Sequence, residues 1–461
     1  MKFVLNIKDL LVIIIMVITV RGFGQNWESI GYSENKIFQS SNLPLILINT
    51  NSQPIEHQQR IAAEMGIINN GKGNRNFLND NFNDFDGRIA IELRGSSSAG
   101  YPKPQFRFET QDSLGENLNV SLCGLPAEND WILNGPYNDK SLIRNVLSYN
   151  LSLKFGRYAS RTVYCEVFVN EEYLGLYILM EKIKRDNDRI DISKLTESDN
   201  TGDELTGGYI VKIDKLDGEN VDLWFSNYNT PYQYHYPKPD DITQQQKEYI
   251  RNYMNEFEDL MNSDDFNNPL NGYQNFIDVD SFVDHFILNE FCKNVDAYRL
   301  SAYLYKDKNS INPKLIAGPI WDFNLTFGDA WNEEDINIAT DWQVDYTILN
   351  PEDIFRVPFW WKKLSNDHEF VLKLKNRWFD LRESDLSIDT LFKQIYNITE
   401  YIKEARVRNF ERWPEALLYE YHHEIARLKG WILNRVEWID ENLDELSDVN
   451  SLNQSNILNE I

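Results

Sequence analysis

Residues 278–322 read DVDSFVDHFILNEFCKNVDAYRLSAYLYKDKNSINPKLIAGPIWD, and this run changes character in its middle. Its first half places Val279, Phe282, Val283, Phe286 and Ile287 at helical spacing, with Asp278 or Asp280 positioned to cap the start. Glu290 falls on the same face. A carboxylate on an otherwise apolar face needs a partner, because desolvating an unpaired charge is costly. After Asn294 and Asp296 the pattern becomes strand-like through Tyr303 and Tyr305, passes a polar turn over 307–312 and returns as a second strand over 314–321. Folded symmetrically about Asn309, this hairpin sets Asp296 directly opposite Asp322 at its open end. Opposed residues have Cβ atoms about 5 Å apart, and two carboxylates that close share a cation or a proton. Metal-assisted phosphoryl transfer uses such a pair: one Asp accepts the acceptor's hydroxyl proton and the other holds Mg²⁺ against the phosphates. A capping Asp and a turn Asp at strand ends would leave the same pattern.

Upstream, residues 43–215 read mostly as β, with apolar or alternating runs at 43–48, 89–93, 163–169 and 173–180 separated by Gly, Asn and Asp clusters. The short link 170–172 makes 163–180 a hairpin. One helix interrupts this half: Asp139 or Ser141 caps it, Leu142, Ile143, Val146, Leu147 and Leu151 form its stripe, and Gly156 stops it. The loop Arg94-Gly-Ser-Ser-Ser98 follows a strand, with Lys103 just beyond. Its small residues would let backbone N–H groups approach phosphate oxygens while Arg94 and Lys103 supply countercharge, although an ordinary Ser/Gly turn reads the same way. Arg144 and Glu181, the latter followed by Lys182, Lys184 and Arg185, read as surface ion pairs unless they face the same cleft. Downstream of Thr243 helical periodicity dominates, through 276–291, 359–381, 391–402 and 425–443, and the Trp residues there read as core aromatics.

The ends and the composition bound the remaining possibilities. Residues 1–24, with Lys2 and Lys8 ahead of an apolar run over 10–20, have the shape of a secretory signal, too short to span a bilayer at the roughly 20 residues required. Residues 25–42 form a lead segment and the acidic, Asn-rich 447–461 a frayed tail. The expected protein is secreted, periplasmic or at the cell surface, with no membrane anchor. A formal charge of −26 repels nucleic acid and anionic lipid, so neither is an expected partner. Cys123, Cys165 and Cys292 are too few for a disulfide framework and are expected as buried thiols. His285, His422 and His423 lack the nucleophile and acid of a hydrolase triad.

Taken in order, Arg94-Gly-Ser-Ser-Ser98 with Lys103, Asn129-Asp-Trp-Ile-Leu133, Asp139-Lys140 with Leu142-Ile-Arg-Asn145, Tyr173-Leu-Gly-Leu-Tyr177, Met180-Glu-Lys182, Gly207-Gly-Tyr-Ile-Val-Lys-Ile-Asp214, Asn289-Glu290, Asp296 and Pro319-Ile-Trp-Asp-Phe-Asn324 resemble the CotH (spore-coat protein H) kinase family. Arg408-Asn-Phe-Glu-Arg-Trp413 resembles the C-terminal part of its longer bacterial members. The resemblance implies an α+β chain with a divergent, atypical protein-kinase-like fold over residues 43–330 and a helical C-terminal extension over 331–446. It implies transfer of phosphate from ATP, with Mg²⁺ or Mn²⁺, to Ser or Thr of secreted or surface proteins. Asp296 would match the catalytic Asp and Asp322 the metal-binding Asp, with Ser301 and Asn324 completing the metal set. Arg94, Ser97, Ser98, Lys103, Arg144 and Glu181 would lie toward the nucleotide. Asn324 and Ser301 stand where members often carry Asp and Asn, and Pro104 interrupts a paired-lysine position. The alternative is a non-catalytic surface or matrix protein that keeps the fold as a binding scaffold.

Overall fold

The computed structural model describes residues 30–33, 36–216, 221–329, 338–417 and 419–447. The expected signal segment, most of the lead segment's first half and nearly all of the tail lie outside these residues. In the first half the chain winds a closed barrel of seven strands, β1 (Leu45–Asn49), β2 (Ile61–Ile68), β3 (Phe85–Leu93), β4 (Phe106–Gln111), β5 (Asp130–Asn134), β6 (Thr162–Val169) and β7 (Glu172–Glu181), in the order β1-β2-β3-β4-β5-β7-β6. The pair β6/β7 is the expected hairpin. The barrel shuts where β6 runs parallel to β1, Leu45 beside Glu166 and Leu47 beside Phe168. Ile46 and Ile48 point into the barrel core with Ile89, Ile91, Trp131 and Val167. Leu45 and Leu47 face outward onto Ile30, Phe38, Phe168 and Tyr173. Burial on both faces explains why β1 is a continuous apolar run rather than an alternating one.

A second sheet stands beyond the barrel: β8 (Tyr209–Ile213), β9 (Leu223–Phe225), β10 (Pro231–Tyr236), β11 (Ala302–Lys306) and β12 (Leu315–Ala317), ordered β9-β10-β8-β11-β12. Here one expectation is corrected. The hairpin β11/β12 pairs Leu304 with Ala317, Tyr305 with Ile316 and Lys306 with Leu315, so Asp296 and Asp322 are not partners in the ladder. Tyr298 (φ +67°) and Ser301 (φ +49°) curl the chain into a turn before β11 begins, and Gly318 (φ +112°) ends β12 early. The chain folds about a point past Asn309, which shifts the register.

The helix α1 (Arg144–Lys154) starts later than its sequence suggests: Ile143, not Asp139 or Ser141, holds the N-cap position and supplies no side-chain cap, while Asp139 from further upstream accepts from the Arg144 backbone N–H at 2.9 Å and from the Ser141 N–H at 3.0 Å. Then come α2 (Gln244–Asn262), which opens with a capping box of Thr243 and Gln246, and α3 (Val279–Cys292), capped by Asp278. The single periodic run at 359–381 is two helices, α4 (Phe359–Ser365) and α5 (His368–Arg382), because Asp367 caps a new start at the Phe370 N–H. The last three are α6 (Ile388–Tyr401), α7 (Lys403–Arg412) and α8 (Tyr421–Asn442). Glu290 finds the partners its position demanded. Its carboxylate accepts from Gln343 N (2.7 Å), Val344 N (2.8 Å) and Tyr298 OH (2.9 Å), and Arg435 of α8 stands 3.4 Å away.

Most of these helices share one large core with the second sheet, in which Trp360, Trp361, Trp378 and Trp431 are buried. The class is α+β with a helical C-terminal region. Residues 43–330 do not end a packing unit, since α7 lies back on the barrel: Arg408 meets Glu166 at 2.6 Å and Trp413 donates to the Leu174 carbonyl at 2.8 Å. The three cysteines are free thiols, Cys165 and Cys292 buried and Cys123 partly so. Among the described residues no helix is long and apolar enough to cross a membrane.

Candidate functional site

Where the barrel's open end meets the second sheet lies a cleft of about 560 Å³. The barrel contributes the loop after β3 and the ends of β4 and β5. The chain leaving β7 adds Lys182, the second sheet adds Lys212, Asp214, Lys215 and Tyr303, and the turns around β11 and β12 add Asp296, Ser301, Trp321, Asp322 and Asn324. Asp296 and Asp322 thus reach one cavity although they are not ladder partners.

Each carboxylate is placed by local backbone. After α3 the Lys293 left-handed cap turns the chain, Asn294 accepts from the Asp296 N–H at 3.2 Å, and Val295 donates to the Leu325 carbonyl at 3.2 Å, tying the Asp296 turn to the Asp322 segment. Asp322 itself adopts φ +62° and donates its N–H to the Tyr149 hydroxyl of α1 at 3.1 Å. Left-handed conformations at Ser301 and Asp322, both lining the cleft, are uncommon and mildly strained, and such strain gathers at functional sites.

Burial raises the Asp296 carboxyl to about 6; Arg299 opposes that rise, and Asp322 and Asp214 add to it. Asp322 is open to the cleft by area, yet the surrounding walls displace enough water to push its carboxyl up, against the pull of Arg94. Arg94 also lies 5.6 Å over the Trp321 ring, and its own ionisation is lowered by burial. Three acids and several cations therefore crowd one water-poor space. Among the described residues, no three His, Cys, Asp or Glu side chains converge as a self-sufficient metal cage.

The loop after β3 borders the cleft through Arg94, Gly95, Ser96 and Ser98, while Ser97 is not among the described residues that line it. Gly95, at φ +111°, has Ser98 Oγ where a Cβ would sit, so the tight turn requires glycine. His57 bonds the Gly95 carbonyl at 2.9 Å, and Ser97–Gly100 form a short 3₁₀ turn. Arg94 and Ser98 line the cavity.

Lys103, Arg144 and Glu181 do not line it. Lys103 is fully buried, where it donates to the Leu176 carbonyl and to Asn409 Oδ1 (2.7 Å) of α7. Arg144 is buried against Asp139 (2.7 Å), Asp329 (3.4 Å) and Glu424 (2.8 Å). Glu181 is buried with Arg161 at 2.9 Å and the Tyr158 hydroxyl at 3.2 Å. Lys182, which reads in the sequence as part of a surface ion pair unless it faces the cleft, does line it. Successive residues of a strand face opposite sides, so with Glu181 turned inward Lys182 is turned to the cleft. Asp130 holds it at 3.1 Å, and burial lowers its ionisation. Lys212 and Asp214 stand in the motif Gly207 to Asp214, and Lys215 follows it directly; their signal in the sequence is position at the end of β8, which pairs with β11.

A family model described as CotH kinase protein matches residues 91–439, running through the cleft and on through most of the C-terminal helices. No curated protein matches the chain.

Proposed function

Since the chain belongs to the CotH kinase family, we propose that it is a metal-dependent atypical protein kinase, with a divergent kinase-like fold, that transfers phosphate from ATP to Ser or Thr of secreted or surface proteins. The observation that carries this reading is the meeting of Asp296 and Asp322 with Arg94, Lys182, Lys212 and Lys215 in one cavity of about 560 Å³, within the about 300–1,000 Å³ range of small-molecule sites.

Mg²⁺ is ordinarily held by one or two carboxylates and completed by phosphate oxygens and water, a requirement that the carboxylates of this cleft can meet. Asp322, with Asn324 and Ser301 nearby, would hold it, and Asp296 faces the same space. When bound, the metal would neutralise charge on the transferring phosphoryl. Arg94, Lys182, Lys212 and Lys215 would countercharge the polyphosphate. The Ser/Gly loop would cover it.

Asp296 acts as the proton acceptor. The acceptor oxygen bonds to the γ-phosphorus as the bridging O–P bond breaks, the hydroxyl proton passes to Asp296, and ADP leaves. A carboxyl raised to about 6 is mostly ionised at neutral pH and is a better base than an ordinary Asp, which matches the preference for a base poised near the working pH. The test is incubation of the protein with labelled ATP, Mg²⁺ or Mn²⁺ and secreted proteins of its host. Metal-dependent label on protein supports the reading. Nucleotide affinity that is unchanged by chelator, with no transfer, removes it.

A further inference from the structure

Arg299 lies on the same turn as Asp296. Its guanidinium, only 5% exposed, folds back across the turn so that Nη2 donates to the Val295 carbonyl at 2.9 Å. The same nitrogen stands 3.6 Å from Asp296 Oδ1, which is an ion pair beyond hydrogen-bond distance. Nη1 reaches Asp353 Oδ2 at 3.3 Å. That oxygen also accepts from the Tyr346 hydroxyl at 2.7 Å, and the guanidinium centre lies 3.9 Å from the centre of the Tyr346 ring. Among the described residues Arg299 Nε has no hydrogen-bond partner. A buried guanidinium with an idle donor is not arranged for maximal pairing; it is held at a set distance from the carboxylate.

We infer that Arg299 is a positioning residue for Asp296, anchored by Asp353 and Tyr346 so that it holds the carboxylate's charge without occupying the oxygens that receive the acceptor proton. This rests on the reading of Asp296 proposed above. An arginine that closes on a carboxylate forms short, often paired hydrogen bonds, and a base engaged in that way has fewer lone pairs to offer. The offset of 3.6 Å keeps the attraction and leaves the acceptor sites open. Val295 O pins one arm of the fork, and Asp353 pins the other. The segment carrying Tyr346 and Asp353 is thereby coupled to the reacting carboxylate from outside the cleft.

The experiment compares the full protein with Arg299→Leu, Arg299→Lys and Asp353→Asn, measuring kcat, KM for the acceptor, metal-dependent nucleotide affinity and melting temperature. Arg299→Leu is expected to lower kcat about tenfold or more, a modest part of the range for proton-transfer catalysis, with nucleotide affinity unchanged. Arg299→Lys keeps the charge but loses the fork, so it should recover part of the loss. Asp353→Asn, which releases one arm, should lower kcat by a smaller factor without lowering the melting temperature in proportion. If Arg299→Leu and Asp353→Asn both fold and turn over like the wild type, the positioning role is overturned while the kinase reading stands. If Lys rescues nothing and kcat merely follows melting temperature, the role is structural and the inference also falls. Should Arg299→Leu not fold, Arg299→Lys and Asp353→Asn decide: wild-type kcat in both overturns it. A wild-type protein with no transfer overturns the kinase reading and this role together.

Discussion

Behind the barrel, Arg144 is wholly buried and is met by Asp139 at 2.7 Å and Glu424 at 2.8 Å. In the cleft, Asp296 meets Arg299 only at 3.6 Å. The first region raises the arginine's ionisation and lowers Glu424 to about 2, so both partners are held in their charged forms. In the second, burial raises Asp296 and Asp322 toward neutrality. The same residue types thus do opposite work: around Arg144 the guanidinium meets Asp139 and Glu424 at hydrogen-bond distance and holds its charge, whereas burial pushes the two cleft carboxyls toward their neutral forms, the setting in which the proposed cation would bind.

The largest expected effect tests the paired side. Arg144→Met leaves Asp139, Asp329 and Glu424 buried around an apolar group, and breaking such a buried network costs about 3–5 kcal/mol. Denaturant unfolding checks this, and a loss below about 1 kcal/mol would mean that the junction tolerates unpaired charge. The next effect belongs to the cleft. Asp296→Asn keeps shape and a hydrogen-bonding group but removes the base, so phosphate transfer is expected to fall about 10²-fold or more with no loss of melting temperature. A folded variant with undiminished transfer would erase the distinction between the regions.

A third expectation follows from the sign of the Asp296 shift. Its folded-state value of about 6 lies above the ordinary Asp value, so the folded state binds the proton more tightly than the unfolded chain. Nothing is lost below about pH 4, and the cost of ionisation grows as pH rises toward 6. Metal-free Asp296→Asn should therefore exceed the wild type in stability by on the order of 2 kcal/mol at pH 7 and by nothing at pH 3. Melting curves across pH in chelator read this directly; a constant difference would point away from the carboxylate. The smallest effect separates two lysines. Lys182→Met should weaken metal-dependent nucleotide binding about tenfold, as expected for losing one charge-assisted contact. Lys103→Met should leave that affinity alone and lower stability instead, since Lys103 bonds Leu176 and Asn409. Calorimetry on both variants decides whether the lysines exchange roles.

The two lysines also show where reading along the chain stops. Local patterns were sufficient for the β-rich half, the β6/β7 hairpin, the helix over 144–154, the helical second half and the need of Glu290 for a partner, because strand alternation, caps and helical periodicity act between near neighbours in sequence. They also singled out Asp296, Asp322 and the Arg94 loop. The α4/α5 break was written there as well, in Asp367 ahead of Phe370, but lay inside one apolar period. Closure of the barrel was not, since it depends on a parallel pairing between Leu45 and Glu166, far apart in sequence and with no turn to announce it. The register of β11 against β12 depended on the left-handed residues Tyr298 and Ser301, whose side chains carry no marker for that conformation.

By itself, then, the sequence determined which residues are chemically able to act and which segments form strands and helices, because both follow from side-chain type and short-range spacing. Only the tertiary structure decided which charges face the cleft. Lys103 and Lys182 are equally basic in the sequence. What separates them is that α7 packs behind the barrel and brings Asn409 to Lys103, while strand parity turns Lys182 toward Asp296 and Asp322 in the shared cavity. A charge's role is set by the water and partners that the fold leaves it, and those come from elements hundreds of residues away.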